Sequence, residues 1–499
     1  MGIVANQSAR NSLILGTGLL LGAVNTMVVL PAAFEGFEEG WGLLRVLTAW
    51  GTILAQVLAL GTPNSVLRFL PLAKGDAARE GSMLSTLLAL PAMLFAVAGL
   101  ASTFAGPDIL HILDADSGWL LTNRMGAFLF MSGAYLAMLL LRAALAHRMR
   151  TVAVTFIQEV WLKGSYLALA VAYLWGWMPF ETFVTWFLYS YAAAVFLMWR
   201  EAASAGIRLA PPDLAQDAKP FFTFGLFAFW NAGARAIAKN LDFVMVGALL
   251  GLASVPRYTF AVFLATVVAM PVRAMGPILQ SLTSKAVTAM GPERCGPELQ
   301  QSARVQLAVT SALLVAILAG MPALDGALPE AYRGLQGVVL AVGLSYVAEA
   351  AGGTAGPILQ FSSRYKLALP INLGLVVMTV ITNYVFMRVF GWGIEGAAWA
   401  TALTGIWSMG WRTSLMWRLF RIHPFSRSWV WVAGLAGAAG WLALAMGVPA
   451  WASALGKAGH VAWALVQGGV AGGAVLGGAW VLGSFPELTK EFRDRLPRP

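Results

Sequence analysis

The segment Val305–Leu324, VQLAVTSALLVAILAGMPAL, runs for twenty residues without a charged side chain. A helix of about that length crosses the roughly 30 Å hydrocarbon core of a bilayer. Arg294 and Arg304 precede it, while Asp325 and Glu330 follow it, so its two ends differ in charge. Working outward, the same alternation of apolar run and polar loop recurs along the whole chain. Apolar stretches fall at about 11–34, 41–60, 84–105, 119–141, 155–175, 179–199, 222–250, 258–280, 305–324, 335–353, 366–387, 394–416, 428–447 and 459–481. These fourteen stretches define an all-α, polytopic membrane protein.

The basic residues orient it. Of 33 Lys and Arg residues, 23 lie in or at the edge of the two tails and the loops joining even to odd spans. Five (Arg124, Arg257, Arg333, Arg388, Lys457) fall on the opposite side, and five (Arg45, Lys163, Arg235, Lys239, Arg273) fall inside spans. The positive-inside rule places both termini in the cytoplasm.

Hydrophobic residues make up 59% and charged residues 11%, against about 25% charged in a soluble domain. That excludes a soluble fold. The net charge of +10 sits mostly in the cytoplasmic loops, where it orients the chain and meets anionic membrane lipids, so no nucleic-acid partner is expected. The single cysteine, Cys295, rules out an intramolecular disulfide and suits a reducing compartment. The opening MGIVANQSAR lacks the features of a cleaved signal peptide, and Asn6 stands where myristoylation needs Ser or Thr. The first span is therefore expected to remain as an anchor.

Loops are short. The longest run to about 23 residues, as at 61–83, and the outer turn Glu35–Gly40 is too small to build a catalytic site around Glu38 and Glu39. The four His residues (His111, His147, His423, His460) show no metal-ligand spacing, and no phosphate-binding loop appears. Neither an enzyme nor a metal site is expected. Trp119, Trp175, Trp177, Trp392, Trp429 and Trp431 lie near span ends and read as interfacial anchors.

Leu60-Gly61-Thr62-Pro63 with Arg68 closes the second span, and Met275-Gly276-Pro277 with Lys285 closes the eighth. Tight basic turns follow spans four (Arg142–Arg150) and ten (Arg364–Lys366). This spacing predicts two six-helix halves, 1–208 and 209–427, with two further helices and a tail over 428–499. Parallel repeats of this kind place a substrate site between the halves. Gly16, Gly18 and Gly22 on the first span, and Gly468, Gly472, Gly473 and Gly477 on the last, predict close helix packing.

Ionisable groups inside a membrane are costly and usually face a cavity or one another. Asn231, Arg235, Lys239 and Asp242 recur at steps of four, four and three, on one face of span seven. Arg45 and Arg273 add positive charge from spans two and eight. Together Arg45, Asn231, Arg235, Lys239 and Arg273 form the expected binding set for an anionic group, since arginine's planar fork matches phosphate. Asp242 and Glu349 are expected to be counter-ions or a site for a coupling Na+ or H+. Glu159 and Lys163 read as a local ion pair.

One stretch carries a family resemblance. Asn11-Ser12 leads into a glycine-rich span with Asn25, followed by Glu39-Gly40-Trp41-Gly42-Leu43-Leu44-Arg45 and Leu60-Gly61-Thr62-Pro63-Asn64-Ser65-Val66-Leu67-Arg68-Phe69. It resembles polysaccharide-type flippases of the multidrug/oligosaccharidyl-lipid/polysaccharide exporter superfamily, with Trp41 in place of the usual tyrosine. Asp242 and Gly247 resemble the start of that family's second half. The resemblance implies two lobes around a central cavity. It also implies transfer of a polyprenyl-pyrophosphate-linked saccharide across the bacterial inner membrane, coupled to an ion gradient, alongside a polysaccharide polymerase and other assembly proteins. A cation-coupled multidrug exporter, a membrane glycosyltransferase or polymerase, and a major-facilitator exporter are the alternatives.

Overall fold

The computed structural model describes residues 2–73, 75–113, 124–426 and 428–481, so Trp119 lies outside the described residues. The described parts of the fourteen stretches are helical apart from residues at their ends and the break at Ala269, and no strand occurs among the described residues. Nine helices there are long and apolar enough to cross a membrane on length and composition alone. A tenth, Ser254–Val268 with Met270–Gly276, qualifies as a pair bent by 53°. The remaining four are the fifth, seventh, twelfth and thirteenth spans. Glu159 and Lys163 dilute the fifth, and Arg235, Lys239 and Asp242 the seventh. The thirteenth, Ser428–Ala445, is short. The protein is an all-α, multi-pass membrane protein.

Helix breaks mark the second and eighth spans. Glu38–Ala59 ends at Leu60 and Gly61, both left-handed at φ 44° and 73°, and the helix restarts at Thr62 with Pro63 in its first turn. Proline loses no hydrogen bond there, because the first helical N–H groups have no acceptor within the helix. In the eighth span the break falls at Ala269, ahead of Pro271, for the same reason. The expected counterpart at Gly276-Pro277 instead continues the helix Met270–Met290. Short π-helical segments occur at Asn25–Val29, Ile157–Trp161, Phe229–Gly233 and Val385–Val389. They lie in spans one, five, seven and eleven, places that correspond in a six-plus-six order. Such segments often mark functional positions.

Compactness divides the chain into Met1–Thr259 with Leu375–Val380, and Phe260–Gly374 with Ile381–Pro499. Span seven therefore groups with the first six. Packing contact and sequence order are different criteria, which is why this division differs from one drawn at 208/209.

In the second unit, span fourteen docks on span nine through glycine. A Cβ on Gly468 would stand 2.6 Å from the Ala316 carbonyl oxygen, and one on Gly320 2.7 Å from that of Ala464. The expected glycine stripe thus splits. Gly468 and Gly472 face span nine, while Gly473 and Gly477 have nothing within 4 Å. In the first unit Gly18 abuts Glu159, and Gly16 is open. Trp175, Trp177, Trp392 and Trp431 are exposed, as interfacial rings should be, whereas Trp429 packs beside Phe425 at 4.8 Å between ring centres.

Cys295 is buried beside Val287, Leu299, Ile358 and Phe420, and its thiol donates to the Gly291 carbonyl at 3.4 Å. Burial first, then Glu298 and Glu293, push this thiol above its ordinary pKa. Less thiolate exists at neutral pH, and thiolate is the reactive form. Maleimide labelling of the folded protein at pH 7 is expected to be well below the rate for a free cysteine. It should rise as pH passes above the usual thiol range, and unfolding should abolish the protection. Equal rates for folded and unfolded protein would refute the burial argument.

Candidate functional site

Spans two and seven pack antiparallel through glycines within the first unit. At one end a Cβ on Gly42 would collide with the Leu252 carbonyl, and Gly247 would meet Val46 at 3.0 Å. At the other end a Cβ on Gly61 would collide with the Gly225 carbonyl, and Ser65 donates to the Phe221 carbonyl at 2.9 Å. Backbone approach this close fixes the register of the two helices. It sets Arg45 against Phe243, with the guanidinium carbon 3.7 Å from the ring centre.

Arg45 lies seven residues into its helix, about 10 Å from the helix start. It does not reach for the interface. Its Nη1 donates to Thr48 Oγ1 at 3.3 Å while its plane covers Phe243. Among the described residues no carboxylate forms an ion pair with it. Tyr135, Tyr191, Tyr166 and Tyr258, from four other spans, lie within electrostatic range. Two of them meet directly, with hydroxyl oxygens 3.3 Å apart in Tyr135 and Tyr191. Phe187 links Tyr191 to Tyr166, at ring-centre distances of 5.3 and 5.1 Å. A half-buried cation over an aromatic face in a low-dielectric setting gains on the order of 2 kcal/mol from that contact.

Asp242 joins the same cluster. It is 6% exposed, and Tyr258 donates to its Oδ2 at 3.4 Å. Tyr258 also meets Phe243 edge-on, at 5.4 Å between ring centres. Arg45, Phe243, Tyr258 and Asp242 thus form a continuous chain of contacts. Arg235 and Lys239, earlier on the face that carries Asp242, are exposed. The side chain of Asn231 lies outside those described.

Arg273 and Glu349 belong to the second unit. Arg273 is exposed, with its guanidinium carbon 6.0 Å from the Tyr346 ring centre. Glu349, also exposed, follows Tyr346 by one turn on Gln336–Ala351. Glu159 and Lys163 pair at 2.6 Å, as the sequence suggests, and Lys163 also donates to the Gly18 carbonyl at 3.1 Å.

Sequence reasoning missed Phe243 and the tyrosines. Phe243 is one of 27 Phe and reads as core. The available signal was its adjacency to Asp242, together with Tyr135, Tyr166 and Tyr191 in mid-span rather than at span ends.

No protein-family model matches the sequence, and no curated protein does. Solved structures do match in fold. The lipid II flippase MurJ in an inward closed conformation superimposes at TM-score 0.67 and 12% identity, over 95% of this chain and 98% of that one. An inward-facing multidrug resistance MATE family transporter of the MOP superfamily aligns at TM-score 0.57 and 14% identity, over 83% of this chain and 96% of that one. A MOP superfamily transporter from Pyrococcus furiosus, described as having a binding pocket of reverse polarity, aligns at 0.51 and 13%, over 82% and 95%. The chain has the transporter fold that these proteins share.

Proposed function

We propose that the protein is a flippase for a polyprenyl-pyrophosphate-linked oligosaccharide in the bacterial cytoplasmic membrane, serving surface polysaccharide synthesis such as O-antigen or exopolysaccharide. Its two halves alternate access to a cationic central cavity, with both termini cytoplasmic and a Na+ or H+ gradient driving the cycle. The observation that carries this reading is Arg45, an intramembrane guanidinium without an ion-pair partner among the described residues. A half-buried guanidinium inside a membrane span calls for a counter-ion, and a pyrophosphate supplies one whose paired oxygens match arginine's planar fork. The tyrosine hydroxyls nearby both donate and accept hydrogen bonds, as sugar hydroxyls require. Arg235 and Lys239 extend the positive charge along span seven, and Asp242 is the group for the coupling cation. Support also comes from the extent of the fold match, which covers 95% of the chain with the lipid II flippase and 83% with the multidrug transporter. A cationic drug would be repelled by Arg45, which disfavours the multidrug reading. No bond-making step is assigned, and a polysaccharide polymerase acts downstream.

The test is gene deletion followed by mass spectrometry of lipid-linked saccharides. Accumulation of a complete repeat unit with loss of surface polymer is expected. Complementation by Arg235→Ala should leave protein levels normal and polymer export abolished. Unchanged lipid-linked sugars with altered drug tolerance would overturn the flippase reading in favour of the exporter.

A further inference from the structure

Spans one, five and six enclose a groove of about 460 Å³ at their basic end, wholly within the first unit. Arg10 and Ile14, four residues apart, line it from span one. Arg150, Ala153 and Phe156 line it from span five, and Glu201 from span six. The i, i+4 spacing puts Arg10 and Ile14 on one helical face, and i, i+3 does the same for Ala153 and Phe156, with Arg150 capping the start of that helix. Spans one and five run in the same direction, both entering the membrane from this end. Charge therefore sits at the mouth of the groove, and its walls turn apolar towards the bilayer core.

The groove is a built feature. Asn11 Nδ2 donates to Thr151 Oγ1 at 3.4 Å, joining spans one and five beside the mouth. The turn before span five holds Met149 in the left-handed region at φ 58°, strained for a side-chain-bearing residue. Its neighbours are tied down on either side. Arg148 pairs with Glu80 at 2.9 Å and Arg150 with Glu201 at 3.2 Å. Glu201 offsets one of the two guanidinium groups at the groove, which leaves Arg10 without an ion-pair partner among the described residues. The mouth carries one net positive charge.

We propose that this groove binds one diacyl glycerophospholipid with a singly anionic headgroup, drawn from the leaflet at the basic end. Its phosphate sits on Arg10 and Arg150, and an acyl chain runs along Ile14, Ala153 and Phe156. One net positive charge matches one phosphodiester, and the polarity gradient of the walls matches that of a lipid. A zwitterionic lipid would bring its own ammonium next to Arg10 and lose this complementarity. The site is separate from Arg45, and its assignment does not depend on the identity of the transported substrate.

Native mass spectrometry of the full chain, released from nanodiscs of mixed phosphatidylglycerol and phosphatidylcholine, tests the assignment. Wild-type protein is expected to retain one phosphatidylglycerol in preference to phosphatidylcholine. Arg10→Gln should lower that occupancy about fivefold, the effect of one basic residue near an anionic membrane surface. Ala153→Trp, which fills the apolar wall and leaves the charges alone, should also empty the site. Using both variants guards against one that fails to fold. Equal retention of the two lipids, or unchanged occupancy in both folded variants, would overturn the proposal. Displacement by inorganic phosphate at millimolar concentration would overturn it too, by showing a small-anion site that takes no acyl chain.

Discussion

Alanine in place of Arg45 is expected to reduce flipping of the lipid-linked saccharide in proteoliposomes by ten- to a hundredfold. The side chain makes one hydrogen bond to Thr48 and stacks on Phe243, so its outward donors are left for a ligand. Hydrogen bonds to a charged group contribute about 1.5–3 kcal/mol, and about 1.4 kcal/mol is a factor of ten in affinity. Arg45→Lys should recover only part of the activity. An ammonium keeps the charge, yet it cannot lie flat on the Phe243 ring while donating a paired fork. Arg45→Met separates charge from packing, because it fills similar space and removes the cation. Thermal unfolding of Arg45→Met close to wild type, with flipping lost, is the expected pattern. Full flipping by Arg45→Met would remove Arg45 from the substrate site.

The second large effect is on stability. Gly61 has φ 73°, and a Cβ there would drive into the Gly225 carbonyl. Gly61→Val therefore combines left-handed strain in a β-branched residue with a backbone collision between spans two and seven. Strain of this type costs about 1–3 kcal/mol, and overpacking adds a similar amount. A loss on the order of 3–5 kcal/mol is expected, read as a sharp fall in unfolding temperature and in yield after detergent extraction. Gly276→Val is the control. Gly276 lies in a continuous helix with no atom within 4 Å of its Cβ position, so that variant should behave nearly as wild type. Comparable losses in the two variants would refute the close-approach argument. The Gly61 contact also fixes the register that brings Phe243 to Arg45, so a partly folded Gly61→Val protein should transport poorly as well.

The positions of the spans were legible in the sequence. Hydropathy is a local property, and the bilayer imposes a minimum apolar length wherever a helix crosses it. The ion pair of Glu159 and Lys163 was legible for a similar reason, since four residues on a helix are neighbours without any help from tertiary structure. The helix break in span eight was less so. Pro271 and Pro277 are equivalent in composition, and only the observed bend shows that the chain restarts at the first.

The site divides in the same way. That Arg45, Arg235, Lys239, Asp242, Arg273 and Glu349 are costly intramembrane charges follows from the sequence alone. Which aromatic ring each one meets does not. Arg45 and Phe243 are separated by almost two hundred residues. They meet because Gly42 and Gly247 at one end, and Gly61 and Gly225 at the other, let two backbones approach within reach of each other's carbonyls. The sequence by itself determined a multi-pass helical membrane protein with charge placed inside particular spans. The tertiary structure decided that one of those charges lies on an aromatic face among tyrosines, because glycine contacts between distant helices set a register that no local pattern encodes.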